Sequence, residues 1–394
     1  MTQDGSASTD ALRHDGPLEA LLAELVAIAS PTSDPTATAR VLTIVRDRLA
    51  PLGFEGGLVA GNPGGAPTFH HLYMERRHAV GSGERPAARV LVMGHADTVH
   101  EHAARFAGYW REGERGRGPG VADAKGGLAV LVGMLERLPR DLPVDLTVFV
   151  SADEEDNGVT SRHLIADAAR GADLCLDFEP ARPDGSLVRG RRGVARFHLV
   201  ATGRAAHAGQ AHAEGANAIV ALAVAIDKAS RLSDPVRGVT VSPGIVSGGT
   251  RVNVVPDRAE AWIDARADDA VGAEWCEERL RSIALANPIE GTHIEVEGRF
   301  STPPWAPGPT TDALVAHWQA VARELGMDAP GAVVSGGGSD ASQVAALGVP
   351  TLDGLGAVGG DYHSDREWVD VGSLEARARL HAAALEAWVA ARGG

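Results

Sequence analysis

The chain has 394 residues, enough for two domains with an ample core, and its 44% hydrophobic and 23% charged residues are ordinary for a soluble globular protein. A formal net charge of −15, with no basic stripe interleaved with aromatics, argues against nucleic acid as a partner. No apolar run reaches transmembrane length, so no membrane partner is expected, and two cysteines, Cys175 and Cys276, exclude a disulfide framework.

Residues 1–15 lack a basic region and an apolar stretch, so they read as a disordered tail rather than a signal peptide, and a cytoplasmic protein is expected. A helix over Leu18–Ile28 opens an alternation of strands and helices that runs to Glu179, the pattern of a mainly parallel α/β sheet. His70 and His71 are adjacent and face opposite sides of an extended chain, and His100 and His102 have no matching carboxylate, so all four read as surface residues.

The apolar run Arg89–Met93 ends in Gly94-His95-Ala96-Asp97-Thr98-Val99. On an extended chain His95 and Asp97 share a face, so His95 can bind a metal through one ring nitrogen while a carboxylate holds the other ring N–H. The glycine-rich loop 116–127 then enters an apolar helix over Leu128–Leu138, with Asp123 just ahead of it, where it could equally be a simple N-cap.

The β-branched, apolar run Val144–Val150 reads as a buried strand and ends at Glu154-Glu155. Two adjacent carboxylates at a strand tip repel each other, so something nearby must favour their charge. A cation would do so, one Glu ligating it and the other handling protons. In Leu174–Glu179, Leu174, Leu176 and Phe178 alternate with Cys175, Asp177 and Glu179, and Pro180 ends the strand. Alternation does not separate Asp177 from Glu179. His363 stands in the polar loop 359–367.

The texture changes after Val194. Ala195–Thr202, Val239–Val246, Ala259–Arg266 and His293–Gly298 read as strands, and Gly215–Leu232 and Ala273–Ala286 as helices. The pattern predicts an inserted α+β sandwich over residues 193–302 with an exposed sheet edge, set into an α/β domain made of 16–192 and 303–394. Within it, His207 and Asn253 lie at turns and Arg266 on a strand. An Arg fork suits a carboxylate because it binds both oxygens at once. Gly336-Gly337-Gly338-Ser339-Asp340 can bring backbone N–H groups to an anion.

His95, Asp123, Glu155, Glu179 and His363 are two imidazoles and three carboxylates, all at strand ends or loops. That inventory suits two zinc-like ions, each with one His and one Glu, sharing Asp123, with Glu154 left over as general base. These motifs, in order GHADTV, GPGVADAKGG, SADEEDNG, LDFEP, RAAHAG, RVNVVP, GGGSD and YHSD, resemble the co-catalytic di-zinc exopeptidases and deacylases over about Leu18–Trp388. That family includes glutamate carboxypeptidase, acetylornithine deacetylase, succinyl-diaminopimelate desuccinylase and aminoacylase, and DEE, FEP and YHSD lean towards the glutamate carboxypeptidase branch.

The resemblance implies a zinc-exopeptidase-like catalytic domain with an inserted lid and dimerisation domain. It implies two Zn2+ ions, for which Co2+ or Mn2+ can substitute. His95 and Glu179 would hold one ion, Glu155 and His363 the other, and Asp123 would bridge them. The choice of Glu179 over Asp177 comes from the resemblance. It further implies Glu154 as catalytic base, Asp97 as the partner of His95, and a cis peptide after Asp123. His207 would donate to the substrate carbonyl oxygen, from the neighbouring subunit of a homodimer, with His212 as a weaker candidate. Arg266, Asn253 and the Gly337-Gly338-Ser339 loop would bind the substrate's carboxylate and polar groups.

The expected reaction is hydrolysis of an amide bond in an N-acyl amino acid or short peptide with a free carboxylate, glutamate release being the leading version. Where that branch carries a Lys that reads the glutamate side chain, this chain has Asp184-Gly-Ser-Leu-Val188, leaving Arg182 or Arg189 as substitutes or a different side chain preferred. A biosynthetic deacylase of the acetylornithine or succinyl-diaminopimelate type is the alternative. A metal-dead binding module is the non-enzyme alternative, and it should have lost ligands.

Overall fold

The structure, a computed structural model, describes residues 16–62, 68–78, 86–101, 106–287 and 289–393, so the expected disordered tail over 1–15 and His102 lie outside the described residues. The chain divides into two compact units, one of 1–187, 313–332 and 349–394 and the other of 188–312 and 333–348.

The first unit is built on a six-stranded mixed sheet in the order Glu55–Ala60, His70–Arg76, Val144–Ser151, Ala88–His95, Leu174–Asp177, Thr351–Leu352. The last four strands are mutually parallel, and the first two join antiparallel. Strands covered on both faces read as continuous apolar runs, and Val90, Leu91, Val92 and Met93 are all buried. Helix Pro17–Val26 starts with Pro at its first turn and buries Leu18, Leu21, Leu22 and Leu25, a stripe at helical spacing. Helix Pro35–Leu49 is capped by the Asp34 carboxylate, which accepts the N–H groups of Thr36 and Ala37. Helix Lys125–Arg137 is buried over most of its length. Gly127 lets it approach the sheet, because a Cβ there would fall 1.9 Å from the Phe178 carbonyl oxygen.

Register explains why distant motifs meet. His95 ends its strand directly opposite Ser151, and Met93 lies opposite Asp177. The carboxyl ends of three parallel strands therefore lie side by side, the usual place for a site in such a sheet. A second sheet completes the arrangement. Gly359–Gly360 pairs with Trp368–Asp370, which pairs with Arg115–Arg117. The loop carrying His363 is thus tied beside the loop carrying Asp123.

The second unit has a four-stranded antiparallel sheet in the order Val239–Gly248, Arg258–Ala267, Gly193–Thr202, His293–Thr302. Ala195, Phe197, Leu199 and Ala201 point into its core while Arg196 and Thr202 are exposed, the alternation of a sheet covered on one face. Helices Ala218–Ser230 and Ala270–Leu285 supply the cover, capped by Asn217 and Asp269. The limits of this unit differ from 193–302. Residues 303–312 and 333–348 group with it, since Trp305 exchanges two backbone bonds with Arg191 and Ser335 accepts the Arg192 N–H. Among the described residues no helix is long and apolar enough to cross a membrane.

Candidate metal centre

His95, Asp123 and Glu179 each bring a ligand atom within 4.8 Å of the others, and so do Asp123, Glu155 and His363. Asp123 belongs to both groups. Its Oδ1 lies 3.0 Å from His95 Nε2, and its Oδ2 lies 3.4 Å from His363 Nε2. Glu179 Oε1 is 3.4 Å from His95 Nε2, and Glu155 Oε1 is 3.4 Å from His363 Nε2. The peptide between Asp123 and Ala124 is cis. His363 holds a left-handed backbone, φ 60°, a conformation that non-glycine residues keep chiefly where the surroundings enforce it.

The donor set fits a pair of divalent ions. Imidazole nitrogens and carboxylate oxygens suit zinc, and the edge of a tetrahedron drawn with bonds of ~2.0–2.1 Å is about 3.4 Å, matching the His–Glu separations. Glu155 Oε1 is buried, with only the long 3.4 Å contact to His363 Nε2, so its acceptor stays open to a cation. Charge points the same way. Burial alone would lower the His95 imidazole, but Asp123 and Asp97 outweigh it and hold it well above its ordinary value. The Asp123 and Glu155 carboxylates, which accept from its ring, raise His363 to about 10. Burial raises Asp123 in turn, yet His363 and His95 bring it below the usual carboxylate range. Burial raises Glu155. Three carboxylates thus draw protons onto both imidazoles, and cations would take those protons' place.

Glu154 stands apart from both groups while its charge still bears on His95. Glu154 and Glu155 are neighbours in the short 3₁₀ turn Glu154–Asp156, a geometry of three residues per turn in which successive side chains project about 120° apart. Asp97 anchors that turn. Fully buried, it accepts the N–H groups of Glu154 at 3.2 Å and Glu155 at 3.1 Å, and the Thr32 hydroxyl at 2.7 Å. Its carboxylate is also 3.4 Å from His95 Nδ1. Those contacts outweigh burial and keep Asp97 ionised below the usual range. Asp177, though buried, belongs to neither group.

Several residues that support the centre carry no sequence signal. Glu367, fully buried, accepts the N–H groups of Gly120, Ala122 and Asp123 at 3.1, 2.9 and 2.9 Å, holding the loop that presents Asp123. His100 bonds the same carboxylate at 2.9 Å, so it is a support of that loop and not a surface residue. His71 is likewise fully buried, against expectation, because strand His70–Arg76 lies inside the sheet rather than at its edge. His70 is half-buried. Lys125 donates to the Ile28 carbonyl at 2.7 Å, and burial lowers its amine to about 7.

In the second unit, His207 and Asn253 meet at one exposed turn, where the Ala208 N–H donates to the Asn253 carbonyl. His207 Nδ1 accepts the N–H groups of Gly209 and Gln210 at 3.2 and 3.1 Å, which assigns the ring proton to Nε2. His212 lies in the next 3₁₀ turn. Arg266 makes a two-bonded pair with Asp264, at 2.9 and 2.8 Å, so its fork is engaged along its own strand. The Ser339 hydroxyl caps helix Asp340–Ala346, and the carbonyls of Gly337 and Gly338 accept from Arg191. Each member of the Arg189/Arg191/Arg192 cluster has a partner within the unit, Asp312 for Arg189 and Asp268 for Arg192.

Comparison with known proteins agrees with this geometry. Residues 91–387 match peptidase family M20/M25/M40. The chain is 31% identical over 304 residues to carboxypeptidase G2 of Pseudomonas sp. (strain RS-16), covering 74% of this chain and 72% of that protein. It is 31% identical over 403 residues to succinyl-diaminopimelate desuccinylase of Paracoccus denitrificans (strain Pd 1222), covering 94% of this chain and 98% of that protein. An M20 family metallo-carboxypeptidase from Sulfolobus solfataricus superposes with a TM-score of 0.74 at 16% identity, over 95% of this chain and all of that one, a likeness of fold. A family match across three quarters of the chain, on a fold that gathers the ligand-capable side chains at one sheet end, leaves one conclusion: the chain belongs to peptidase family M20/M25/M40 and is a hydrolytic enzyme of it.

Proposed function

We propose that the protein is a di-metal hydrolase that cleaves the amide bond of an N-acyl amino acid or short peptide bearing a free carboxylate. The observation that carries this reading is Asp123, shared by two ligand-capable groups, with Glu154 beside them and in neither. When bound, the ions polarise the scissile carbonyl and make water a nucleophile at neutral pH. Glu154 takes the proton of the attacking water on its carboxylate and passes it to the leaving amine nitrogen. Asp97 keeps His95 oriented and the Glu154–Asp156 turn in place. The Nε2–H of His207, supplied by the neighbouring subunit of the homodimer proposed below, donates to the carbonyl oxygen as charge builds on it. Arg266, Asn253 and the Gly337-Gly338-Ser339 loop belong to the substrate's binding surface in this reading, with Arg266 leaving Asp264 to take a substrate carboxylate.

Two substrate classes follow from the relatives. The likeness to carboxypeptidase G2 favours release of an acidic amino acid, and Arg182 supports it: Arg182 lies in the unit that holds the metal ligands, close enough to Tyr362 for its charge to bear on that phenol, whereas Arg189 is paired with Asp312. The likeness to succinyl-diaminopimelate desuccinylase covers more of the chain and favours an acylated diamine acid. A panel of acyl-glutamates, dipeptides, N-succinyl-diaminopimelate and acetylornithine, assayed with added zinc or cobalt, separates them. Glutamate release is expected to have the highest kcat/KM. Highest kcat/KM on the succinyl compound selects the second class, and hydrolysis of none by metal-loaded protein overturns the reading.

The second unit is proposed as the lid and dimerisation domain of a homodimer. Its edge strand Val239–Gly248 leaves Ile245 and Val246 62% and 59% exposed, and Ile219 and Val220 of helix Ala218–Ser230 are also exposed. An unpaired edge with apolar neighbours suits a two-fold pairing of identical strands. Light scattering at assay concentration is expected to give twice the chain mass, and a fully active monomer would rule the dimer out.

A further inference from the structure

His71 is buried with its ring stacked against Phe149, centroids 5.9 Å apart. Its Nδ1 lies 3.1 Å from the Ala152 N–H, a group that can only donate, so Nδ1 is the bare nitrogen and the ring proton is on Nε2. Nε2–H therefore donates to Thr160 Oγ1 at 3.0 Å, and that hydroxyl donates onward to Asp153 Oδ2 at 2.8 Å. The Thr160 N–H reaches the same oxygen at 2.6 Å. Burial pushes the imidazole down, outweighing the pull of Asp153 and Asp97, with His163 and His70 adding to the downward push, so the ring stays neutral and keeps its acceptor. Gly61 makes room for it, since a Cβ there would fall 2.3 Å from His71 Nε2.

These bonds all converge on Ala152–Thr160, the turn that carries Glu154 and Glu155. Asp97 grips the turn through the N–H groups of Glu154 and Glu155, and the chain His71–Thr160–Asp153 grips it through Ala152 and Asp153. We propose that His71 is a positioning residue which, through Thr160 and Asp153, sets the aim of the Glu154 carboxylate. The inference deepens the hydrolase reading and rests on it. Its physical basis is that a base misplaced by ~1 Å can lose on the order of a hundredfold in rate while the fold and the binding of substrate persist.

The test compares two substitutions. His71→Leu keeps an apolar side chain against Phe149 and removes both nitrogens, while His71→Asn restores an acceptor where Nδ1 lies. In H71L, kcat is expected to fall roughly 10- to 100-fold, as for other residues that orient a site from outside it, with KM and metal content per chain unchanged, and H71N should recover most of it. If H71L does not fold, T160V and T160S give the same comparison, the serine keeping the hydroxyl. A lowered melting temperature with kcat within about twofold of the parent, well short of that range, overturns the proposal, as does an equal loss in H71L and H71N. Hydrogen exchange of the Ala152, Glu154 and Glu155 amides is measured alongside, expected to quicken in H71L and return in H71N; unchanged exchange in H71L also overturns it. That measurement needs no substrate, so a parent protein inactive on the whole panel counts against the hydrolase reading while the exchange still decides the role of His71.

Discussion

A Glu154→Gln enzyme is expected to fold, to hold its full complement of metal and to bind substrate with little change in KM, while kcat falls by about two or more orders of magnitude, the usual share of general acid–base catalysis. The expectation follows from the side chains' separate surroundings. Glu154 lies outside both ligand-capable groups, and what fixes its backbone, the N–H bond to Asp97, survives the substitution. The amide of Gln is close to the carboxylate in size but cannot accept the proton of an attacking water. Glu155→Gln should act differently. Its Oε1 belongs to the group with Asp123 and His363, so that variant should lose an ion along with activity. Metal analysis and steady-state kinetics on the two variants decide the matter: if Glu154→Gln strips metal and Glu155→Gln spares it, the two roles are reversed.

Loading the metal-free protein should be the second large effect. Two ions per chain are expected, and their removal by a chelator should abolish turnover, restored by zinc or cobalt. The electrostatics of the centre add a sign. In the metal-free cluster His95 is held well above its ordinary value and His363 near 10, so at pH 7 both rings carry protons that ligation must displace. Binding at pH 7 should therefore release about two protons per chain, and affinity should weaken steadily as pH falls, because protons compete for the same nitrogens. Calorimetry in buffers of different ionisation enthalpy, with elemental analysis, measures both. One ion or none, activity that survives chelation, or binding without proton release would each contradict the shared-carboxylate centre.

Much of this candidate centre is legible in the sequence alone, because the donors sit in local contexts that announce themselves. An apolar β-branched run followed by charge marks the carboxyl end of a buried strand, and His95, Glu155 and Glu179 each follow such a run. The alternation of the inserted unit marked its four strands and two helices to within a few residues, since a sheet covered on one face writes its period into the chain. The donor identities themselves are chemistry that no packing alters.

The remainder depended on distance across the fold. His71 looked like half of a surface pair because its burial comes from Glu55–Ala60 and Val144–Ser151 pairing on either side of its strand, a fact of sheet order. Glu367 and His100 are 267 positions apart in the sequence and become one support only when the small sheet folds the C-terminal loop over the Asp123 loop. Arg266 faces Asp264 because residues two apart on a strand share a face, but alternation alone cannot say whether that face offers a better partner. Residues 333–348 group with the second unit through the Arg192 N–H on the Ser335 carbonyl and the Arg191 guanidinium on the Gly337 and Gly338 carbonyls, contacts that no local pattern encodes. Local sequence determined which groups could do chemistry and which segments could form strands or helices. Tertiary structure decided which of those groups were aimed, because orientation depends on hydrogen-bond partners supplied from elsewhere in the chain.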